Sequence, residues 1–270
     1  MSQQLSTSRS WRLAGVVPMV ALLVSCGIEV DREPEQISPS VQAVPPPAVA
    51  PPDGGVDPPP LTVLPEGGPP LPTTQRPQLQ LTAWAESMSD ELNIPRVALQ
   101  AYGYAATAVE QSHPGCGLGW STLAGIGAIE SSHGRYGGAR LDETGRPSTP
   151  IIGLPLDGSH RVKRIDDTDG GRLDGDPVYD RAIGPLQFIP TTWERWAVDA
   201  DGDGIADPHD IDDAALAAAE YLCTVGGDMQ DPDRFWAALL DYNESHDYGQ
   251  DVLDHADHYG KTSRSLFATD

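Results

Sequence analysis

Proline limits this chain more than any other feature. Fifteen of its 26 prolines fall between Gly27 and Gln78, in runs such as Pro45-Pro46-Pro47 and Pro58-Pro59-Pro60. Each removes a backbone donor and locks φ at about −65°, and few residues between them could form a core. Residues 26–78 therefore read as an extended, disordered tether, which at about 3.1 Å per residue reaches on the order of 150 Å. A spacer of no particular length fits the same residues. Folding is thereby confined to residues 79–270, the size of one domain with room for a substantial core, and no internal repeat divides it.

Ahead of the tether, Arg9 and Arg12 precede the apolar run Leu13–Val24. That run is too short to span a bilayer as a helix and reads as an export signal, residues 1–25. It ends in Leu23-Val24-Ser25-Cys26, which resembles the lipobox of bacterial lipoproteins. The resemblance implies cleavage before Cys26, lipid on Cys26, and an exported protein anchored to the membrane and facing the cell wall or periplasm. The alternative is an ordinary signal peptide that leaves Cys26 free. No later segment reads as transmembrane.

Seventeen Lys and Arg against 40 Asp and Glu give a formal charge of −23. Phosphates would be repelled rather than neutralised, which excludes nucleic acid as a partner. Thirteen of the aspartates crowd between Asp166 and Asp213, which suggests solubility, metal binding or both. Once Cys26 is set aside, Cys116 and Cys223 remain, and an even pair in an exported chain reads as a disulfide. Closing a loop of roughly a hundred residues would stabilise the fold by about 4 kcal/mol on the chain-entropy model. Two buried thiols are the alternative.

The domain reads as mainly helical. Asn93 and Pro95 open a helix that ends near His113-Pro114-Gly115, and a second runs from Gly119 to His133, stopping at Gly134. Pro190 opens a short third one with Trp193 and Trp196. A fourth, capped by Asp212 or Asp213, carries Leu216, Ala219 and Cys223 on one face and ends at Gly226-Gly227. Asp231-Pro232 starts a fifth with Trp236, Leu239, Leu240 and Asn243 on a common face, and a last helix spans Tyr248–Tyr259. Between Gly137 and Asp180 lies a long irregular Gly/Asp-rich insert. Loops of that length inside a domain are usually functional or disordered, and this one is expected to form part of a cleft wall.

The chemistry begins in the second helix. Glu130 follows Leu123 by seven, Ile126 by four and Gly127 by three, so its carboxyl shares their apolar face and is steered inward. Burial disfavours the charged form and raises the pKa, as a general acid working near neutrality requires. Gly125 and Gly127 each cost about 1 kcal/mol of helix stability, so another backbone or a substrate should approach closely there. An inward Glu paired with an arginine, or placed at a helix end, is the bland alternative.

Asp199-Ala200-Asp201-Gly202-Asp203-Gly204-Ile205-Ala206-Asp207-Pro208-His209-Asp210 follows the calcium loop of an EF-hand. Asp199, Asp201, Asp203, Asp207 and Asp210 supply side-chain oxygens, Ile205 its carbonyl, and Gly202 the sharp turn. Asp210 replaces the usual bidentate Glu. A structural Ca2+ is expected, joining the Trp193–Trp196 helix to the next one; a solvated acidic turn is the alternative.

Two further clusters are Gly184-Pro185-Leu186-Gln187-Phe188-Ile189-Pro190-Thr191-Thr192-Trp193 and Tyr242-Asn243-Glu244-Ser245, with Tyr248 three residues beyond. With the Gly-rich helix ending in Glu130-Ser131, they resemble, in order and spacing, the lytic transglycosylases of the membrane-bound type B group. The likeness covers roughly Asn93 to Tyr259. It implies a lysozyme-like fold and peptidoglycan glycan strands as substrate, with Glu130 as single acid and base. It also implies that Gln187 binds the sugar, that Tyr242 and Asn243 line the cleft near the reacting N-acetyl group, and that Leu186 and Tyr248 make further substrate contacts. Leu186 stands where the family usually has Met. No organic cofactor is implied, and the chain is expected to be a monomer. Open alternatives are a hydrolytic muramidase, with a second carboxylate from Asp167, Asp169, Asp174, Asp176 or Asp180, and a calcium-stabilised wall-binding module without turnover.

Overall fold

A computed structural model describes residues 49–65, 67–159 and 162–268; the expected signal and Cys26 lie outside the described residues. Its helices are α1 (Thr82–Leu92), α2 (Arg96–Ser112), α3 (Trp120–Ser131), α4 (Pro190–Trp196), α5 (Ile211–Gly226), α6 (Pro232–Tyr242) and α7 (His246–Phe267). Two short strands, β1 (Ile152–Pro155) and β2 (Arg181–Ile183), pair antiparallel with Ile152 opposite Ile183 and an irregular register towards Pro155 and Arg181. The chain is thus mainly helical. Among the described residues, no helix is long and apolar enough to cross a membrane.

α3 organises the rest. Nine of its residues are buried, from Trp120 to Ser131, because it is apolar on every side, as a helix at the centre of a core must be. α7 and α2 pack on it, and α2 also packs on α5. The two glycines make the approach possible. A Cβ on Gly125 would stand 2.5 Å from the Val252 carbonyl oxygen of α7, and one on Gly127 would stand 2.0 Å from the Tyr102 hydroxyl of α2. Their close neighbours are protein groups, not a substrate. Cys116, just after α2, is bonded to Cys223 on α5, closing the expected disulfide.

Three helices depart from expectation. α1 was not foreseen, although Trp84, Ala85, Met88 and Leu92 form a buried stripe at helical spacing. α5 is capped by Asp210, whose carboxylate accepts from the Asp212 amide, and not by Asp212 or Asp213. α7 runs eight residues past Tyr259 because its last turns pack on chain that was read as tether.

That chain requires a correction. The domain does not begin at residue 79: much of 53–78 is a strap bound to the helices. The Trp120 indole donates to the Val56 carbonyl at 3.1 Å, and the Ser121 hydroxyl to that of Asp53 at 2.8 Å. Arg264 pairs with the Asp53 carboxylate at 2.6 Å. Farther on, the Leu64 amide donates to the Tyr104 hydroxyl at 3.0 Å, and the Leu71 amide to the Gly202 carbonyl at 2.6 Å. Arg76 is 1% exposed, paired with the buried Asp212 of α5 and donating to Gln100 of α2 at 2.8 Å. Proline-rich backbone makes no hydrogen bonds of its own, so it looks soluble in isolation. Here side chains of α2 and α3 satisfy it, a contact that composition cannot reveal.

Candidate active site

α3 ends in a succession of left-handed residues, Ser132 (φ 52°), His133 (φ 59°) and Gly134 (φ 77°), which turn the chain sharply below Glu130. The turn is fixed from inside. Ser131 is 1% exposed, donating to the Pro185 carbonyl at 2.6 Å and accepting from the Gly134 amide at 2.7 Å. His133, also buried, lies between the hydroxyls of Tyr102 (3.2 Å to Nδ1) and Tyr259 (3.1 Å to Nε2). Burial pushes its pKa down to about 3, so it is a neutral crosslink rather than an acid or base at the site.

Glu130 itself is partly buried, and one carboxylate oxygen accepts from the Tyr248 hydroxyl at 2.7 Å. Burial raises its pKa from 4.5 to about 7, against the opposing pull of the Tyr248 hydrogen bond. Among the described residues neither Arg nor Lys is bonded to it, and Tyr248 is the partner its carboxylate shows. Tyr242 and Tyr248 have pKa values raised well above normal by burial and by the Glu130 charge, so both stay neutral donors. Tyr242 spends its hydroxyl on the Leu186 carbonyl at 2.8 Å.

A groove of about 750 Å³ lies where the Gln187 segment, the turn between α6 and α7 and the insert meet. Its lining comes from Gln187, Phe188, Ile189 and Thr192, from Leu156, Val162, Lys163 and Ile165 of the insert, and from a wall that includes Tyr221, Tyr242, Asn243 and Ser245. Four residues of the insert thus border this groove. Glu130 is not among the lining residues; it is bonded by Tyr248, and its charge acts on Tyr242, which does line the groove. Gln187 adopts a left-handed φ of 52° that a non-glycine residue holds only under constraint, and its amide nitrogen donates to the Gly184 carbonyl at 2.8 Å. Asn243 accepts from the Ser245 amide at 3.1 Å, shaping the turn into α7. Tyr221 stacks between Trp196 and Tyr242, with ring centroids 5.3 and 5.6 Å away, and stiffens that wall.

One expectation fails. Leu186 is fully buried in the core, so its side chain cannot touch a ligand in the groove. The insert aspartates, left open as a second carboxylate, are occupied with backbone amides. Asp167 accepts from the amides of Asp169, Gly170 and Gly171, Asp174 from those of Asp176 and Arg181, and Asp180 from Thr168, while none lines the groove. They hold turns. The groove's carboxylates are Asp241, bonded by the Tyr221 hydroxyl at 2.8 Å, and Glu244.

In the acidic loop, Asp199 and Asp201 converge with Asp213 of α5, their oxygens within 4.8 Å of one another, a group that could hold a metal ion. Asp213 was missed because it lies beyond the twelve-residue pattern. The other expected ligands are engaged differently: Arg146 pairs with Asp203 (3.2 Å), Asp207 and Asp210 (3.5 Å), and Asp210 also caps α5. A cation fits the chemistry of the donors. Asp201 is pushed up to about 6 and Asp213 to about 9 by burial, and a buried Asp210 oxygen has no hydrogen bond.

The comparisons with known proteins match the second and third sequence clusters. A family model described as Transglycosylase SLT domain matches residues 177–255, which include Gln187, Asn243 and Tyr248 but not Glu130. No curated protein matches the chain. Among solved structures, the chain is similar to the Escherichia coli lytic transglycosylase SLT35 in complex with bulgecin A, at 14% identity over 67% of this chain and 79% of that one, with a TM-score of 0.39. The same enzyme in complex with calcium gives 13% identity, 67% and 80% coverage and a TM-score of 0.41. SltB3 from Pseudomonas aeruginosa, in complex with NAG-anhNAM-pentapeptide, gives 17%, 72% and 68%, and 0.37.

Proposed function

We propose that this chain is a peptidoglycan lytic transglycosylase with a lysozyme-like domain of the membrane-bound type B group. It cleaves the β-1,4 bond between N-acetylmuramic acid and N-acetylglucosamine and leaves a 1,6-anhydromuramyl end. The observation that carries this reading is Glu130. Burial pushes its carboxyl pKa up to about 7, Tyr248 bonds one of its oxygens, and Tyr242, whose hydroxyl feels its charge, lines a groove together with Gln187 and Asn243. A match to a transglycosylase domain across residues 177–255 supports the same reading.

Protonated Glu130 donates to the bridging oxygen as the C1–O bond breaks, and the resulting carboxylate takes the proton from the muramyl 6-hydroxyl as that oxygen closes on C1. Since the attacking hydroxyl belongs to the substrate, one carboxyl completes the cycle and no carboxylate is needed to activate water. The Tyr248 hydroxyl steadies the Glu130 carboxylate between the two transfers, while Gln187 and Asn243 offer amide groups to the sugar. Glu130→Gln removes the transferable proton while keeping the shape. In digests of purified peptidoglycan by the full chain, the variant is expected to release no soluble fragments above background; release at the parent rate would sink the assignment.

The remaining parts of the reading follow. Leu23-Val24-Ser25-Cys26 supports export and lipid anchoring at Cys26, so that the enzyme works on the wall from the membrane as a remodelling activity. The acidic loop holds structural calcium, with Asp199, Asp201 and Asp213 as its nucleus. The ion supplies charge compensation to the loop joining α4 to α5, and so steadies the segment that carries Gln187.

A further inference from the structure

The insert reaches the groove as a hairpin arm. Its base is fixed: the Leu156 amide donates to the Asp180 carbonyl at 3.0 Å, the Ile165 amide to the Leu156 carbonyl at 2.8 Å, and the Asp180 amide to the Ile165 carbonyl at 3.2 Å. From that base the arm brings Val162 and Lys163 to the groove, with Lys163 reaching the turn between α6 and α7. The Lys163 ammonium bonds the Glu244 carboxylate at 3.0 Å, across 81 residues of sequence. Both residues line the groove, so the bond joins the arm to the turn between α6 and α7 at its border.

Such a bond is a clasp rather than a weld. The side chains are 70% and 80% exposed, and ion pairs so exposed contribute about 0–1 kcal/mol. A carboxylate arriving in the groove competes with Glu244 on nearly equal terms. Lys163 is also the only cation among the described lining residues. Asp241, the other lining carboxylate, is engaged by the Tyr221 hydroxyl.

We propose that Lys163 is a specificity-determining residue that exchanges Glu244 for a carboxylate carried by the muramyl side of the substrate, opening the clasp as the strand enters. This rests on the proposed transglycosylase activity. The strand offers the carboxylate from two sources, the lactyl ether of bare muramic acid or the peptide attached to it, and both bear the same charge.

The test is binding to the full chain carrying Glu130→Gln, so that no strand is cut. Three probes are titrated: chitotetraose, which has no carboxylate; the tetrasaccharide of alternating N-acetylglucosamine and N-acetylmuramic acid; and its peptide-bearing form. Lys163→Gln is expected to weaken a carboxylate-bearing strand about three- to fivefold at low salt, less at high salt, and to leave chitotetraose unchanged. Glu244→Gln, which frees Lys163, is expected to tighten the same strand. Loss on the bare tetrasaccharide identifies the lactyl group, and loss only on the peptide-bearing form identifies the peptide. An equal change for all three probes, or none, overturns the inference by reducing Lys163 to wall. Failure of every probe to bind the parent overturns the glycan reading and this inference together. Both side chains are largely exposed, so neither substitution threatens the fold.

Discussion

If Glu130 is the acid, replacing it by glutamine should stabilise the domain, and only at high pH. The carboxyl's value rises from 4.5 to about 7 on folding, and each unit is worth about 1.4 kcal/mol, so holding the ionised form in place costs the fold about 3 kcal/mol. Because the folded value lies above the unfolded one, that cost is absent below the unfolded pKa, grows as pH rises through 4.5, and is complete above about 7. Glutamine is neutral throughout and still offers Tyr248 an oxygen. Urea unfolding of parent and Glu130→Gln, followed by tryptophan fluorescence at fixed calcium, should therefore coincide near pH 4 and separate by about 3 kcal/mol near pH 8, the variant being the more stable. Parallel curves at every pH would refute the claim that burial sets the acid. Activity gives the mirror image: kcat/KM of the parent should fall above about pH 7 as the transferable proton is lost.

Other outcomes follow from the same geometry. Tyr248→Phe removes the one interaction that lowers the Glu130 value, so the alkaline limb of the pH–rate profile should move to higher pH while the maximal rate falls; an unmoved limb would deny the hydrogen bond a role. Arg76→Ala leaves Asp212 buried without its partner and should cost about 3–5 kcal/mol in urea unfolding, with the strap ahead of α1 becoming open to limited proteolysis. Added calcium should raise the thermal midpoint of the parent. Asp213→Asn should weaken that response more than Asp207→Asn, because only Asp213 converges with Asp199 and Asp201.

What could be read in the sequence follows periodicity and local chemistry. α3, its inward Glu130 and the Cys116–Cys223 bond were legible, because apolar spacing and cysteine parity act over short stretches or by elimination. α1 carried the same kind of signal in Trp84, Ala85, Met88 and Leu92 and was obscured by the adjoining proline tract. The strap was not legible at all. Its donors and acceptors are met by Trp120, Ser121, Tyr104 and Asp212, residues far away in sequence, and composition reports only what a segment can do alone. Leu186 was misassigned for a related reason: a motif position fixes a residue's neighbourhood, and here the backbone carbonyl meets Tyr242 while the side chain turns into the core. Arg146 and Lys163 had no signal, since each works through a partner on a different segment.

The central claim is that the substrate's own hydroxyl, not water, closes on C1 after Glu130 has given up its proton. Digestion of purified peptidoglycan in oxygen-18 water, followed by mass analysis of the fragments, addresses it directly. The account predicts muramyl ends one water lighter than a reducing sugar and carrying no heavy oxygen; reducing ends labelled from the solvent would contradict it.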